Sequence, residues 1–398
     1  MVVRIREIMT VPLEYQTGFA AASLVDPVAA ERYVRHSQVG DPEADALIGL
    51  LQTRYPDMAA EWIRRGIEGG AAALPEAPGA VREFFSEIER VPDWFDPRLA
   101  SSGCRAFHRH SEMFLGAFVG AVLIEGFSTL ISKSFCITGR LVDQGVRRLK
   151  QNNRHLVEIF IPGGLDRRSD GWKLSVRIRL IHAQVRYLLR QSPEWDEAAW
   201  GVPLGAAHIA YATAAFSALL LKRAEMLGVR LSAEERASFL MIWRYSGHLM
   251  GVVPELLFTN EQEALHLHRI GTICEPPPGV ESLILANGLI NSAPIVAGIT
   301  ETKARRELVK RIYQVSRALI GDEMADRLNY PPSRTFGVLA LFRWRNWIDR
   351  LLQDQFPAIA GLRRVSQFEQ MLKVTHYGDG GLGYRMPAHV HAERDQTL

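Results

Sequence analysis

One stretch of the chain, "SVRIRLIHAQVRYLLR" at residues 175–190, holds a histidine between two arginines. On a helix, Arg179, His182 and Arg186 are three and four positions apart and share one face. Two positive neighbours favour the neutral imidazole, which is the form that ligates iron. The arginines could pair with the carboxylates of an anionic cofactor such as haem. The alternative is a buried histidine bonded to a backbone carbonyl, with both arginines in salt bridges.

A second basic cluster lies in "GRLVDQGVRRLKQNNRH", one predicted helix earlier. Arg140, Arg147 and Lys150 recur at spacings of seven and three, which places them on one helical face. A solvated surface is the usual explanation of such a charge run. In the functional alternative, Arg147 and Lys150 face a cavity opposite His182. There the lysine amine could cap the sixth position of an iron or hydrogen-bond to bound dioxygen.

Other metal-binding and catalytic motifs find little support in the sequence. "EALH" places Glu263 and His266 at the spacing of a carboxylate-bridged iron helix, with His268 close behind. Such a site needs the same motif on a second helix and further carboxylates, so a surface helix is favoured and a non-haem iron oxygenase stays an alternative. HExxH, GxSxG and GxxxxGK[ST] do not occur, and no GxGxxG joins a strand to a helix. Zinc protease, hydrolase, nucleotide-binding and nicotinamide functions therefore lose their main support.

A long apolar stretch, "FLGAFVGAVLIEGFSTLI", covers residues 114–131 with Glu125 as its single charge. By length alone it is a marginal transmembrane candidate. A carboxylate in the middle of a lipid-facing helix is costly, and a buried central helix of a large bundle has the same composition. We therefore expect a core helix. Membrane association is not favoured, and a non-catalytic, membrane-associated helical protein is the second alternative.

The composition is that of an ordinary globular protein. The chain has 398 residues, of which 47% are hydrophobic and 23% charged, with a net charge of +3. This charge is too small to indicate nucleic-acid binding. Three widely spaced cysteines without a CxxC pattern predict neither a disulfide framework nor a zinc site and fit a reducing compartment. The first residues lack the apolar run of a secretory signal, so we expect a cytoplasmic protein.

Helical periodicity dominates the chain, and alternating apolar and polar runs are nearly absent. Start signals include Asp41 before Pro42 and a capping box from Ser232 to Glu235. The sequence therefore predicts an all-α protein with one large helical domain. We expect an N-terminal arm and helices at 1–80, of which the first forty residues are irregular. The main domain is predicted at 81–370 and a flexible C-terminal tail at 371–398.

Four segments follow one another as in a known family: "GRLVDQGVRRLKQN", "VRIRLIHAQVRYLL", "WGVPLGAAHIAYATAAF" and "IWRYSGHLMGVVPELLFTNEQEA". The chain resembles the latex-clearing proteins over residues 105–361, within an oxygenase group that includes the mycophenolic-acid-pathway oxygenases. The resemblance implies a globin-like helical core that binds one b-type haem (heme b), with His182 as its proximal iron ligand. The resemblance also implies that Arg179 and Arg186 support His182 from the same helix. Arg147 and Lys150 match the distal pair of the family, and Thr213 falls near the haem.

The chain departs from the family at several positions. Gln151 stands where the family commonly has threonine, and His208 where relatives often carry an acidic residue. No glutamate aligns with the catalytic one of the family, so Glu125 is the nearest candidate for a base, with a pKa raised by apolar burial. The resemblance implies a haem-dependent oxygenase that uses dioxygen to cleave a carbon–carbon double bond. The expected substrate is a terpenoid, prenylated or lipid-like molecule, since polyisoprene is not carried over.

Overall fold

The computed structural model describes residues 10–138, 145–344, 347 and 386–391. Throughout these ranges the regular structure is helical and no strand occurs, which confirms the predicted all-α class. The first helices are α1 Gln16–Ser23, α2 Pro27–Ser37, α3 Pro42–Arg54, α4 Pro56–Gly69, α5 Gly79–Ile88, α6 Ala100–Arg109, α7 Ser111–Ala117, α8 Leu123–Phe127 and α9 Ile131–Ile137.

The second group of helices begins after residue 144. They are α10 Gly145–Ile159, α11 Asp170–Leu189, α12 Glu197–Trp200, α13 Ala206–Ala214, α14 Leu220–Met226, α15 Ala233–Leu249, α16 Glu261–Cys274, α17 Val280–Val296, α18 Thr302–Ile320 and α19 Asp322–Arg327. Two short π-helical segments, Phe118–Val122 and Ala215–Leu219, join α7 to α8 and α13 to α14.

The predicted helix starts are confirmed where the sequence carries a capping residue. The Asp41 side chain accepts a hydrogen bond from the backbone N–H of Ala44 at the start of α3. Both halves of the capping box between Ser232 and Glu235 are formed at the start of α15. These side chains satisfy backbone N–H groups that have no partner inside the helix, so the helix boundaries follow from local sequence.

Residues 10–40 are not irregular, contrary to the prediction. They contain α1 and α2, and Asp26 caps α2 with Pro27 in its first turn. This is the same Asp-Pro signal that marks α3 at Asp41. The aromatic side chains of Tyr15 and Tyr33 are fully buried and anchor this part of the chain to the core.

The apolar stretch at residues 114–131 is not one continuous helix. It runs through α7, the π-helical segment Phe118–Val122 and α8, and then breaks before α9. Within the described ranges no single helix meets the length and hydropathy of a membrane span. The pair Pro97–Arg109 and Ser111–Phe127, bent by 82°, meets both limits together.

One hydrophobic core joins the elements before and after residue 80. Leu47 of α3 and Trp62 of α4 belong to the same buried cluster as Phe114 and Trp243. The helices of the predicted N-terminal segment are therefore packed into the core that holds the rest of the molecule. The predicted boundaries at residues 80 and 370 stay predictions.

Two buried ion pairs join α11 to the start of α3. The Arg179 guanidinium binds Asp41, with Nη2 2.8 Å from Oδ1, and Nη2 also lies 2.8 Å from Glu43 Oε2. Arg186 donates from Nε to Asp45 at 2.7 Å and from Nη1 to the carbonyl of Leu204 at 2.9 Å. A buried guanidinium needs such partners because its desolvation is costly. The two pairs therefore fix α11 against α3.

The Asp41–Arg179 pair is packed directly against a glycine. Gly251 has a φ of +83°, and a Cβ atom added there would lie 2.7 Å from Arg179 Nε. Gly298 has a similar φ of +75° but no atom within 4 Å of its added Cβ. The two glycines share a backbone conformation that favours glycine and differ in what surrounds them.

Replacing Gly251 by alanine is expected to lower the free energy of unfolding by at least about 3 kcal/mol, because the left-handed backbone costs about 1 kcal/mol and the buried pair is displaced as well. Gly298→Ala is the matched control and should lose only about 1 kcal/mol. Urea denaturation followed by circular dichroism measures both. Equal losses in the two variants would show that the ion pair tolerates the added methyl group.

A second buried polar cluster surrounds Glu275, just after α16. Its Oε1 accepts hydrogen bonds from the hydroxyls of Tyr15 and Tyr33, each at 2.9 Å, and lies 3.2 Å from His208 Nε2. Its Oε2 accepts the backbone N–H of Leu130 at 3.1 Å. Burial raises the pKa of Glu275, but the neighbouring His208 and these hydrogen bonds outweigh it and hold the pKa below its usual 4.5. The carboxylate therefore joins both N-terminal tyrosines to α13 and to the segment after α8.

Because its pKa is lowered by folding, the Glu275 carboxylate stabilises the protein above pH 4.5, and this contribution is lost as pH falls through the folded-state pKa. Glu275→Gln cannot ionise, so its deficit in unfolding free energy relative to the wild type should shrink as pH drops from 5.5 to 3.5. Exposed Glu14→Gln should track the wild type. A deficit that stays constant with pH would mean that the charge of Glu275 adds nothing.

Candidate functional site

A cavity lies between α10, α11 and α13 and encloses about 1160 Å³, part of it open to solvent. Most of its wall is apolar, and the lining side chains of this kind are Phe127, Ile131, Phe135, Ile178, Ile181, Leu204, Ile209, Ala212, Phe216, Met250 and Pro387. The cavity is suited to a large, mainly apolar ligand.

One helix supplies a polar stripe to this wall. Arg147, Arg148, Gln151, Asn152 and His155 of α10 all line the cavity. Their spacing of one, three, one and three keeps them on one helical face. The guanidinium carbon of Arg148 lies 4.0 Å from the centroid of the Phe135 ring. The cavity thus combines a polar, cationic wall with an apolar remainder.

Three of the seven predicted site residues meet in this cavity. His182 lines it from the middle of α11, where its side chain is partly exposed. Arg147 lines it from α10 and Thr213 from α13. The hydroxyl of Thr213 donates to the Ile209 carbonyl at 2.8 Å, four residues earlier in the same helix. The His182 imidazole therefore lies in a cavity wall that is partly apolar and partly cationic.

The contacts expected of Arg179 and Arg186 are not the ones that the structure contains. Neither residue lines the cavity, and both guanidinium groups bind the carboxylates of Asp41, Glu43 and Asp45 described above. For the two arginines, the structure therefore supports the salt-bridge alternative of the sequence argument. These arginines hold the helix that carries His182 rather than an anionic cofactor.

Lys150 and Arg140 complete the basic cluster predicted around Arg147. Lys150 is half-buried on α10, but it is not among the residues that line the cavity. Arg140 lies outside the residues that the structure describes. Of the predicted cluster, Arg147 alone is placed at the cavity, and the neighbouring Arg148 joins it there.

Glu125 does not reach the cavity, although its neighbours Gly126 and Phe127 do. Its carboxylate pairs with Arg223 of α14, whose Nε lies 3.1 Å from Oε2. Burial raises the pKa of Glu125, as predicted, and the positive charge of Arg223 opposes that rise. The structure therefore places the Glu125 side chain at this ion pair and not in the cavity wall, where a base was expected.

The alternative iron ligands are not brought together. The Glu263 carboxylate accepts hydrogen bonds from Thr259 at the start of α16. His266 Nε2 lies 2.9 Å from Asp26, and the His268 ring stacks on Tyr211 with 4.7 Å between centroids. Among the described residues no group of three or more histidine, cysteine or acidic side chains could hold a metal ion. The "EALH" motif lies in the first two turns of α16, whose N-cap is Asn260.

The C-terminal segment 386–391 packs against the cavity. Pro387 lines it, and its carbonyl accepts a hydrogen bond from Gln184 Nε2 at 3.1 Å. The His391 ring lies 2.8 Å from the Ile137 carbonyl through Nδ1 and 2.8 Å from Glu194 through Nε2. This part of the predicted flexible tail is thus bound to the core. Nothing in the apolar periodicity of the chain signals this contact.

The family model described as "ER-bound oxygenase mpaB/B'/Rubber oxygenase, catalytic domain" matches residues 105–349. The match covers more than half of the 398 residues. The chain belongs to this family. Helices α10, α11 and α13, which form the cavity, lie inside the matched range, whereas α1 to α5 precede it. The resemblance seen in the sequence is thereby confirmed.

One curated relative is the rubber oxygenase of Streptomyces sp. (strain K30), 26% identical over 228 residues. The aligned part is 55% of this chain and 54% of the relative, so the match spans about half the length of that protein. The solved structure of latex clearing protein LCP in the closed state aligns with a TM-score of 0.64 at 21% identity, covering 85% of this chain and 90% of that one. This chain therefore shares the all-helical fold of latex clearing protein.

The Glu125–Arg223 pair predicts a strong energetic coupling. Arg223→Met should lower the unfolding free energy by about 3 kcal/mol because it leaves a buried carboxylate without its partner. The loss in the double variant Glu125→Gln/Arg223→Met should be smaller than the sum of the single losses by more than about 1 kcal/mol. The exposed pair of Glu323 and Arg327 is the control, with an expected coupling of about 0.3–0.5 kcal/mol. Equal coupling in both pairs would contradict the buried placement.

Proposed function

We propose that the protein is a haem b-dependent oxygenase that uses dioxygen to cleave a carbon–carbon double bond in an apolar, unsaturated small molecule. Membership of a family defined by an oxygenase catalytic domain supports the oxygenase activity. The rubber oxygenase relative supports an unsaturated isoprenoid-like substrate. A terpenoid, prenylated or lipid-like molecule fits the cavity better than a polymer because one α10 stripe of the wall is polar. A cytoplasmic location stays part of this proposal.

The observation that carries the proposal is the donor set of the cavity, which joins one imidazole to guanidinium groups and a large apolar wall. A free iron ion is held by several protein side chains, whereas haem iron needs as little as one proximal histidine because the macrocycle supplies the other ligands. The carboxylates of haem suit guanidinium partners. His182, Arg147 and Arg148 therefore fit this cofactor.

Haem bound in the cavity would supply the iron at which dioxygen is activated. His182 would hold that iron through its neutral imidazole, and Arg147 and Arg148 would bind the anionic edge of the cofactor. Apolar side chains such as Phe127, Ile131 and Phe216 line the remaining space. They would orient an unsaturated chain and exclude water from the reacting double bond.

The absorption spectrum of protein made in haem-replete cells tests this proposal. The wild type should show a Soret band, and His182→Ala should lose it or show a strongly shifted, weakened band because the imidazole ligand is gone. His266→Ala is the matched control, since its ring pairs with Asp26 outside the cavity. This variant should retain the wild-type band.

Iron analysis of the same preparations separates the alternatives. Iron without porphyrin, lost in His266→Ala, would favour a non-haem site. A colourless wild type that takes up no added haemin would reject the haem proposal. So would a His182→Ala protein with an unchanged Soret band and unchanged haem affinity.

A further inference from the structure

The cavity contains a second histidine, His155, for which the proposed haem site has no use. It is on α10, two turns beyond Arg148, and its side chain is 94% buried, since its relative exposure is 6%. The ring makes an edge contact with Trp243 at 5.8 Å between centroids. A buried polar ring in a mainly apolar wall requires an explanation in terms of its two nitrogen atoms.

The contacts of two serines favour a proton on Nε2 of His155. The Ser175 hydroxyl donates to the Gly171 carbonyl at 2.8 Å, so its single proton is used. Ser175 Oγ must therefore accept from its other neighbours, His155 Nε2 at 3.0 Å and the Ser246 hydroxyl at 3.0 Å. We therefore assign the proton of the imidazole to Nε2, which also lies 3.4 Å from Ser246 Oγ. Burial lowers the pKa of His155 to about 4, which keeps the ring neutral.

The other nitrogen, Nδ1, is consequently a lone-pair acceptor. Nδ1 makes no hydrogen bond with the described residues. It is also not fully enclosed by protein atoms. Because the residue is so buried, the cavity that it lines is the open space that Nδ1 reaches. An acceptor without a donor in an apolar site costs free energy until a ligand supplies one.

Gln151 lies one helical turn before His155 and lines the same cavity. Its amide offers both donors and an acceptor. A ligand hydroxyl has the complementary pattern, since its O–H can donate to Nδ1 while its oxygen accepts from the Gln151 amide. A carboxylate lacks the proton and would place its charge against the lone pair, and an ether lacks the donor.

We propose that His155 and Gln151 bind a hydroxyl group of the substrate, so that the preferred substrate is an unsaturated lipid alcohol such as a prenyl alcohol and not a hydrocarbon. This inference rests on the proposed function, because it assigns the cavity to the substrate of that oxygenase. His155 is then a specificity-determining residue. It orients the chain by its hydroxyl end while the apolar wall holds the isoprenoid part.

Calorimetric binding of farnesol and of farnesyl methyl ether tests the inference. Wild-type protein should bind the alcohol at least about tenfold more tightly than the ether, because the ether leaves Nδ1 unpaired. In His155→Phe the preference should fall to about twofold or less. His155→Asn keeps a side-chain oxygen near the position of Nδ1 and should restore part of the preference.

The matched control is His108→Phe. Like His155, His108 has a pKa that is lowered by burial. It is half-buried, its Nε2 lies 3.0 Å from the Phe160 carbonyl, and it does not line the cavity. This variant should keep the wild-type preference. Gln151→Leu provides a second test, since Gln151 is partly exposed; it should reduce the preference even if His155→Phe does not fold.

Equal affinity of the wild type for both compounds would overturn the inference, as would a preference that survives in His155→Phe and Gln151→Leu. Failure of the wild type to bind either compound would overturn it as well. These measurements do not depend on turnover. A His155-dependent preference in protein without a Soret band would reject only the haem proposal, and a normal Soret band without the preference would reject only the hydroxyl site.

Discussion

The buried arginines of α11 impose the constraint on which the cavity depends. A guanidinium group removed from water must be matched by a carboxylate in close contact, and Arg179 and Arg186 find theirs in Asp41, Glu43 and Asp45. All three acids lie at the start of α3, before the part of the chain that matches the family model. The helix that presents His182 is therefore positioned by a segment outside the matched catalytic domain.

The Glu275 cluster connects the same N-terminal part to another side of the cavity. Tyr15 and Tyr33 bind a carboxylate that also accepts the backbone N–H of Leu130 and lies beside His208. Ile131 and Ile209, the residues that follow Leu130 and His208 in the chain, both line the cavity. The N-terminal helices are thus structural supports of the cavity wall, and their removal would disturb it from two directions.

Local signals in the sequence were sufficient for the helices but not for the directions of the charged side chains. Capping residues and helical periodicity predicted the starts of α3 and α15 and the presence of α11, because these depend on neighbours within one turn. The shared face of Arg179, His182 and Arg186 was also correct. At about 100° per residue, however, His182 points about 60° from Arg179 and about 40° from Arg186. That angle places the imidazole at the cavity and both guanidinium groups at α3.

The sequence analysis missed other site residues for the same physical reason. His155 follows Arg147 and Arg148 at helical spacing, which is a usable signal for a shared face, but its serine partners lie on α11 and α15 and only the fold brings them near. Glu125 was named as a base because it is the glutamate nearest to the catalytic one of the family, and the structure pairs it with Arg223 of α14. Both outcomes depend on contacts distant in sequence.

The distribution of polarity in the cavity constrains the chemistry further than the family membership does. A pocket for a pure hydrocarbon has no need of a stripe that contains Arg147, Arg148, Gln151, Asn152 and His155, since each polar group kept from water requires a partner. The arginines suit the anionic part of a cofactor, and the neutral Gln151 and His155 suit a neutral ligand group with one proton to donate. Because the arginines precede the neutral groups along one face of α10, the same helix would bind both the cofactor and the substrate. In the proposed site, the position of α10 would decide which end of the substrate meets the iron.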